Sequence, residues 1–484
     1  MESTFNVKAF REITRRRWLS AFTGGALATQ AAARNWNVIL VVADDLGWRD
    51  LGCYGHKFHE TPHLDQLALE GTRFTNAYSA CPVCSPSRAA LLTGRYPARI
   101  GLTDFIPGQR PRPRPMFPAP FLQQLPHEEV TLAEMLKPAG YRTASIGKWH
   151  LGNETFYPES QGFDSNFAGT IDGLPKSYFG PFHLPGMDRG TAEDFLTVKL
   201  SEAAERFIDA SHRDPFFLYM PHFAVHFPFQ ERAALIEKYR RKGNGKDSHS
   251  AVYAAMVESV DTAMGLLRSQ LERLKIADRT VIVFTSDNGG LRFEGKSQRP
   301  ATDNAPLRSG KGHLYEGGIR VPLIMHMPGQ KVRGTSGELV CGIDVVPTLL
   351  DVMGMAAGRA APRVDGISLA RTVASGARMK TRPLFWHYPH YSNQGGRPSG
   401  AVRWKEWKLI EFFEDSRLEL FHLEEDPGER RNLVEREPRK AKELHALLRE
   451  WRTEAAARMP SPDPDFRPED AQTWSGAEPK TEPV

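Results

Sequence analysis

The chain reads as a layered α/β protein with a central, mostly parallel sheet between helices. Two apolar runs and one helical pattern carry that reading. Asn37-Val38-Ile39-Leu40-Val41-Val42-Ala43 contains no polar side chain after Asn37, and Thr280-Val281-Ile282-Val283-Phe284-Thr285 is its counterpart. Unbroken runs rich in β-branched residues belong to strands covered on both faces, as parallel strands are. Before the second run, Met256, Val260, Ala263, Met264 and Leu267 recur at helical spacing within residues 253–274. Alternation of such strands and helices defines the layered class.

The elements follow in order from the N-terminus. Thr14-Arg15-Arg16-Arg17-Trp18-Leu19 looks like a twin-arginine export signal, and the weakly apolar residues 21–33 after it end in small residues suited to cleavage. On this reading residues 1–33 are a signal. A bacterial protein would then be carried already folded to the periplasm or beyond by the twin-arginine export machinery. Residues 108–115, Gly-Gln-Arg-Pro-Arg-Pro-Arg-Pro, predict a surface loop. The Ala- and Gly-rich residues 353–363 approach a boundary between a catalytic domain, 34–375, and a smaller C-terminal subdomain, 376–459. That subdomain is expected to be α+β with an antiparallel sheet: residues 403–413 and 418–423 pattern as a hairpin, and 438–452 as a charged amphipathic helix. Residues 460–484, rich in Pro, Glu and Asp, predict a disordered tail.

With 484 residues, 40% hydrophobic and 25% charged, the chain can bury a sizeable core. A mild net charge of +5 fits an anionic substrate and a neutral one equally, while the lack of a Lys/Arg run argues against nucleic acid. Four cysteines, at 53, 81, 84 and 341, are too few for a disulfide scaffold.

Cys84-Ser85-Pro86-Ser87-Arg88 opens a short helix that Ser85 can cap, Pro86 can start and Gly94 can close. Cys84 then sits at the positive end of a helix, where a thiol turns acidic and an anion is welcome. Asp44-Asp45 and Asp287-Asn288 follow the two apolar strands and offer oxygen donors alone, the set that Ca²⁺ or Mg²⁺ prefers. Ligands of such sheets lie beyond the carboxyl ends of the strands. In Gly147-Lys148-Trp149-His150-Leu151-Gly152, Lys148 and His150 share one face of an extended segment. A lysine can fix an anion's oxygen, and a histidine can move a proton near neutral pH. His226 lies among aromatics before Pro228, and Lys311 lies between two glycines that permit close approach to an anion.

These segments together resemble the type I, formylglycine-dependent sulfatases of the alkaline-phosphatase-like superfamily, of the arylsulfatase and N-acetylgalactosamine-sulfatase kind. C-x-P-S-R at 84–88, the L-T-G-R after it, G-K-W-H-L-G at 147–152 and the Lys311 loop, 304–322, carry the resemblance over residues 35–346. It implies that a formylglycine-generating or anaerobic sulfatase-maturing enzyme oxidises Cys84. It implies a cation, Ca²⁺ or Mg²⁺, held by Asp44, Asp45, Asp287, Asn288 and the residue at 84. Arg88 would steady the nucleophile, and Lys148 and Lys311 would bind sulfate oxygens. His226 would bind substrate and protonate the departing alcohol, and His150 would take the proton whose loss releases sulfate. The same centre also serves phosphodiester and phosphonate monoester hydrolases, and a non-catalytic glycan-binding relative is the other alternative. Residues 385–397 mix aromatic faces with His387, His390 and Arg397, a composition suited to a sugar ring, so a sulfated small molecule or glycan is the expected substrate.

Overall fold

Every residue of β1 (Asn37–Ala43) is buried, as its composition demands. The protein, seen here as a computed structural model, is described over residues 36–109, 113–243, 248–292, 302–355, 363–467 and 469. The proposed signal, 1–33, lies outside the described residues, as do much of 353–363 and the tail from 470. In chain order β1 is followed by β2 (Thr72–Tyr78), β3 (Met116–Phe117), β4 (Arg142–Ile146), β5 (Ser165–Phe167), β6 (Phe216–Pro221) and β7 (Thr280–Ser286). Then come β8 (Leu323–His326), β9 (Gly334–Cys341), β10 (Leu384–Tyr388), β11 (Ser399–Trp404), β12 (Trp407–Phe412), β13 (Leu418–His422) and β14 (Ser461–Pro462).

Eight strands form one sheet in the order β5-β4-β6-β1-β7-β8-β2-β9. β1 runs parallel to both β6 and β7, and β4 runs parallel to β5 and β6. Only β8 runs against its neighbours. Side chains alternate across the sheet. Ile39, Val41 and Ala43 enter one core with the helices Leu196–Ser211 and Ser248–Arg273. Val38, Leu40 and Val42 enter another, with Leu91, Leu92, Leu132 and Leu349 from the opposite face. Both faces are covered, which is why the runs have no polar alternation.

A second sheet, β10-β11-β12-β13, is antiparallel throughout, and the helix Pro438–Glu454 packs on it. Here the expected single strand over 403–413 is in fact two strands. Lys405 adopts φ +54°, and the chain reverses through Lys405-Glu406 so that Trp404 pairs with Trp407. No Gly, Asn or Pro marks that turn, so the pattern alone reads through it. The tail expected to be disordered from 460 begins instead with β14, which pairs with β3.

The central strand tolerates little loss of volume. Leu40→Ala, at a position with no solvent exposure, should cost about 2–5 kcal/mol, read as a lower midpoint in chemical denaturation.

Candidate active site

Four neighbouring parallel strands, β4, β6, β1 and β7, release their chains at one edge of the sheet, and each release carries polar residues. β1 leads into Asp44 and Asp45, β7 into Asp287 and Asn288, β4 into Lys148 and His150, and β6 into His222 and His226. The turns are tightly specified. A Cβ at Gly147 would lie 1.9 Å from the Pro221 carbonyl oxygen, so only glycine fits where β4 turns toward the site. Asp45 and His150 both adopt left-handed backbone, φ +61° and +59°, a conformation disfavoured for residues with a side chain. Each is tied in place: Asp45 N–H donates to Asp287 Oδ1 at 3.2 Å, and His150 N–H to the Thr170 carbonyl at 2.9 Å.

The helix Cys84–Thr93 enters beside these ends with all its residues buried. Gly94 closes it at φ +69°. Ser85 is not its cap, contrary to expectation: Cys84 is already helical, and Ser85 Oγ accepts the Ile106 N–H at 3.1 Å. The expected acidic thiol is corrected as well. Burial pushes Cys84 up to about 11, with Asp44 and Asp287 adding to the rise and Lys148 and Lys311 opposing it. Desolvation is the largest cause of the rise.

The charged side chains pair across the strand ends. Lys148 Nζ donates to Asp44 Oδ2 at 2.5 Å, and Lys311 Nζ to Asp45 Oδ2 at 2.9 Å. Arg88 Nε donates to Asp287 Oδ2 at 2.9 Å, and Arg88 Nη1 to the Lys148 carbonyl at 3.0 Å. Cys84 Sγ lies 3.9 Å from Asp44 Oδ1. Asp44, Asp45, Asp287, Arg88 and Lys148 have no solvent exposure, and Lys311 is nearly buried. Three carboxylates thus face three cations, and the cluster sums to zero charge. Burial and the nearby Asp44 raise the Asp287 carboxyl, while Arg88 and the two lysines pull against that rise. Lys311 is raised by Asp45 against its own desolvation.

Two histidines complete the cluster. His226 Nε2 lies 3.6 Å from Asp45 Oδ2, and its Nδ1 is held 2.8 Å from the Phe227 carbonyl. Tyr178 OH donates to the His226 carbonyl at 2.8 Å. His150 Nε2 is held 2.6 Å from the Ile106 carbonyl, and its Nδ1 is buried with no partner. Burial first, then Lys148 for His150 and Lys311 for His226, holds both rings well below the usual histidine range. The Ile106 carbonyl and Tyr178 carry no sequence signal, since one is backbone and the other is an ordinary aromatic.

The cluster fits a hard cation. Asp44, Asp45, Cys84 and His226 present ligand atoms within 4.8 Å of one another. Asn288 Nδ2 donates to Asp45 Oδ1 at 2.8 Å, while Asn288 Oδ1 is buried with no donor. An orphaned carbonyl oxygen among carboxylates suits an oxygen-seeking ion. Asp50, His56 and His59 also gather, but not as a cation site. The two rings stack with centroids 3.5 Å apart, His56 Nδ1 accepts the His59 N–H, and the Asp50 carboxylate accepts from Gly47, Tyr253 and Thr302.

The glycines beside Lys311 make room for neighbouring groups of the protein itself. A Cβ at Gly312 would meet Ser392 Oγ at 1.9 Å, and one at Gly310 would meet the Gly290 carbonyl at 2.5 Å. The second sheet's loop, 392–396, therefore packs on the lysine loop. Of the residues expected to touch a sugar, His387 is buried with Nε2 held 2.8 Å from the Arg458 carbonyl, and His390 is buried with Nε2 2.8 Å from Thr103 Oγ1. Both are engaged by the fold. Arg397 is exposed and pairs with Glu414 at 3.1 Å. All four cysteines are free.

The buried, charge-balanced cluster lies at the carboxyl edge of a mostly parallel sheet, where ligands of such sheets bind. The sulfatase family model matches residues 36–355, and the model named N-sulphoglucosamine sulphohydrolase, C-terminal, matches 309–455. The chain is 34% identical to human arylsulfatase A over 84% of each protein, and 32% identical to human N-acetylgalactosamine-6-sulfatase over 81% of this chain and 80% of that one. It is also similar to the solved structure of Ps i-CgsB in complex with k-i-k-neocarrahexaose, with 30% identity and a TM-score of 0.72 over 86% of this chain and 92% of that one. The chain belongs to the sulfatase family and is a sulfuric ester hydrolase.

His222, beside the cluster, is fully buried with neither ring nitrogen partnered. Burial lowers it to about 4, so the folded ring stays neutral below the pH, about 6.5, at which a free histidine charges. Nitrogen-15 NMR of the imidazole should show neutral shifts down to about pH 5. A transition at the ordinary value would contradict the burial.

Proposed function

We propose that this chain removes sulfate from a sulfated carbohydrate, using a formylglycine made from Cys84 and one bound divalent cation. The observation that carries the reading is the cluster itself: a cysteine beside Asp44, an orphaned Asn288 oxygen, and three cations paired to three carboxylates. A buried thiol with a raised pKa is a poor nucleophile. Oxidation would replace it with an oxygen nucleophile. Asp44, Asp45, Asp287 and Asn288 would hold Ca²⁺ or Mg²⁺, which supplies positive charge against the oxygens of sulfate.

The chain's own residues divide the remaining work. Arg88, anchored on Asp287 and the Lys148 carbonyl, orients the start of the helix that carries position 84. Lys148 and Lys311 bind the sulfate oxygens, where negative charge grows in the transition state. His226 gives Nδ1–H to the Phe227 carbonyl, which leaves its Nε2 bare in the neutral ring. To protonate the departing sugar oxygen it must first take a proton at Nε2, which the added negative charge of bound sulfate favours. His150 accepts a proton at Nδ1, its Nε2 being held by the Ile106 carbonyl. Similarity to N-acetylgalactosamine-6-sulfatase, and to a protein solved with a neocarrahexaose, supports a glycan substrate. Arg397, exposed and paired with Glu414, is the sugar contact assigned in the C-terminal part, in place of the buried His387 and His390. We also assign residues 1–33 to twin-arginine export into the periplasm or beyond, after maturation, 34–375 to catalysis and 376–459 to the smaller subdomain.

The test is release of inorganic sulfate from defined sulfated sugars, alongside a phosphodiester and a phosphonate ester. Sulfated sugars should be preferred; preference for the phosphodiester would overturn the assignment. Mass spectrometry of the peptide spanning Cys84 should find an aldehyde in place of the thiol. His226→Ala should cost roughly 100-fold or more on a sugar sulfate and far less on 4-nitrophenyl sulfate, whose leaving group needs no proton. Equal losses on both would remove the acid role from His226.

A further inference from the structure

Lys408 is a fully buried lysine of β12, in the second sheet, and none of the catalytic roles above uses it. Its Nζ donates to Glu316 Oε1 at 3.0 Å and lies 2.8 Å from Glu429 Oε1. Glu429 Oε2 in turn accepts the Glu316 backbone N–H at 2.7 Å. Glu316 Oε2 accepts from Tyr78 OH at 2.6 Å and has Arg320 at 3.4 Å and Arg403 at 3.8 Å. Lys408 therefore bridges two buried carboxylates that are linked to each other through the backbone, and Arg320 and Arg403 share Glu316 with it.

Glu316 stands at the base of the loop that presents Lys311. The loop is closed by Gly317 N–H donating to the Arg308 carbonyl at 2.9 Å. Arg308 Nη1 donates to the Glu429 carbonyl at 2.8 Å, and its guanidinium lies 3.9 Å from the centre of the Tyr315 ring. Tyr315 OH is bonded to Glu419 of β13 at 2.8 Å. Both legs of the loop thus rest on groups of the second sheet, and Lys408 is the cation shared by Glu316 and Glu429 beneath them.

We propose that Lys408 is a positioning residue: by holding Glu316 and Glu429 it fixes the base of the loop 308–317 and so places Lys311 on Asp45. The effect on sulfate rests on the reading of Lys311 given above, whereas the effect on the loop does not. Two variants of the full chain separate these. Lys408→Met removes the charge and keeps an unbranched stem, and Lys408→Met/Glu429→Gln also removes one of the carboxylates left behind. Hydrogen exchange read by mass spectrometry should rise roughly tenfold over 308–319 in Lys408→Met, with β1 and β7 unchanged. Inorganic sulfate should bind about tenfold more weakly in the calcium-loaded protein, and this loss should vanish in the Lys311→Ala background. Unchanged exchange in 308–319, a rise spread evenly through β10–β13, additive losses of sulfate affinity, or failure of both variants to fold would each overturn the inference. If Lys311→Ala itself leaves sulfate binding intact, the role of Lys311 falls, and the exchange measurement still decides that of Lys408.

Discussion

Three buried carboxylates meet three buried cations where four parallel strands end, and the rest of the molecule depends on keeping them paired. Each ion costs several kcal/mol to remove from water, and only close partners offset that. Asp44 with Lys148, Asp45 with Lys311 and Asp287 with Arg88 supply those partners. The partners come from β1, β4, β7, one helix and one loop, so the pairing exists only when the whole sheet is assembled and covered on both faces.

This balance also shapes what the site accepts. The six charges sum to zero, so a divalent cation on Asp44, Asp45 and the orphaned Asn288 oxygen would leave a surplus of two positive charges. A sulfate ester, a monoanion, offsets one of these charges and the inorganic sulfate product both, inside a low-dielectric pocket where electrostatic attraction is strongest. Without substrate both histidines are held toward the neutral form, each oriented by a backbone carbonyl on one nitrogen, and His226 has to gain a proton at Nε2 before it can act as an acid. The second sheet contributes through packing: its loop 392–396 rests on Gly312, and Lys408 underpins Glu316.

Much of this is legible in the sequence where the signal is local. β1 and β7 are readable as continuous apolar runs, the long helix through its spacing, and the strand-end acids by position. Partnership is not readable. Lys148 and Asp44 are 104 residues apart, and Lys311 and Asp45 are 266 apart, so only the strand order shows that they touch. Local rules also misled where burial overrode them. The helix end that should acidify Cys84 is dry, and the thiol rises instead. The glycines around Lys311 also accommodate Ser392 and Gly290, which their sequence neighbours do not announce. The turn at Lys405-Glu406 has no turn residue to announce it, because cross-strand pairing of Trp404 with Trp407 imposes it.

The central claim is that a charge-neutral cluster becomes a sulfate site by gaining a hard cation. Calorimetric titration of inorganic sulfate into the protein, with and without saturating calcium, tests it most directly. The account predicts binding at least about tenfold tighter with calcium, a gain lost in Asn288→Ala. Equal affinity in the two conditions would contradict it.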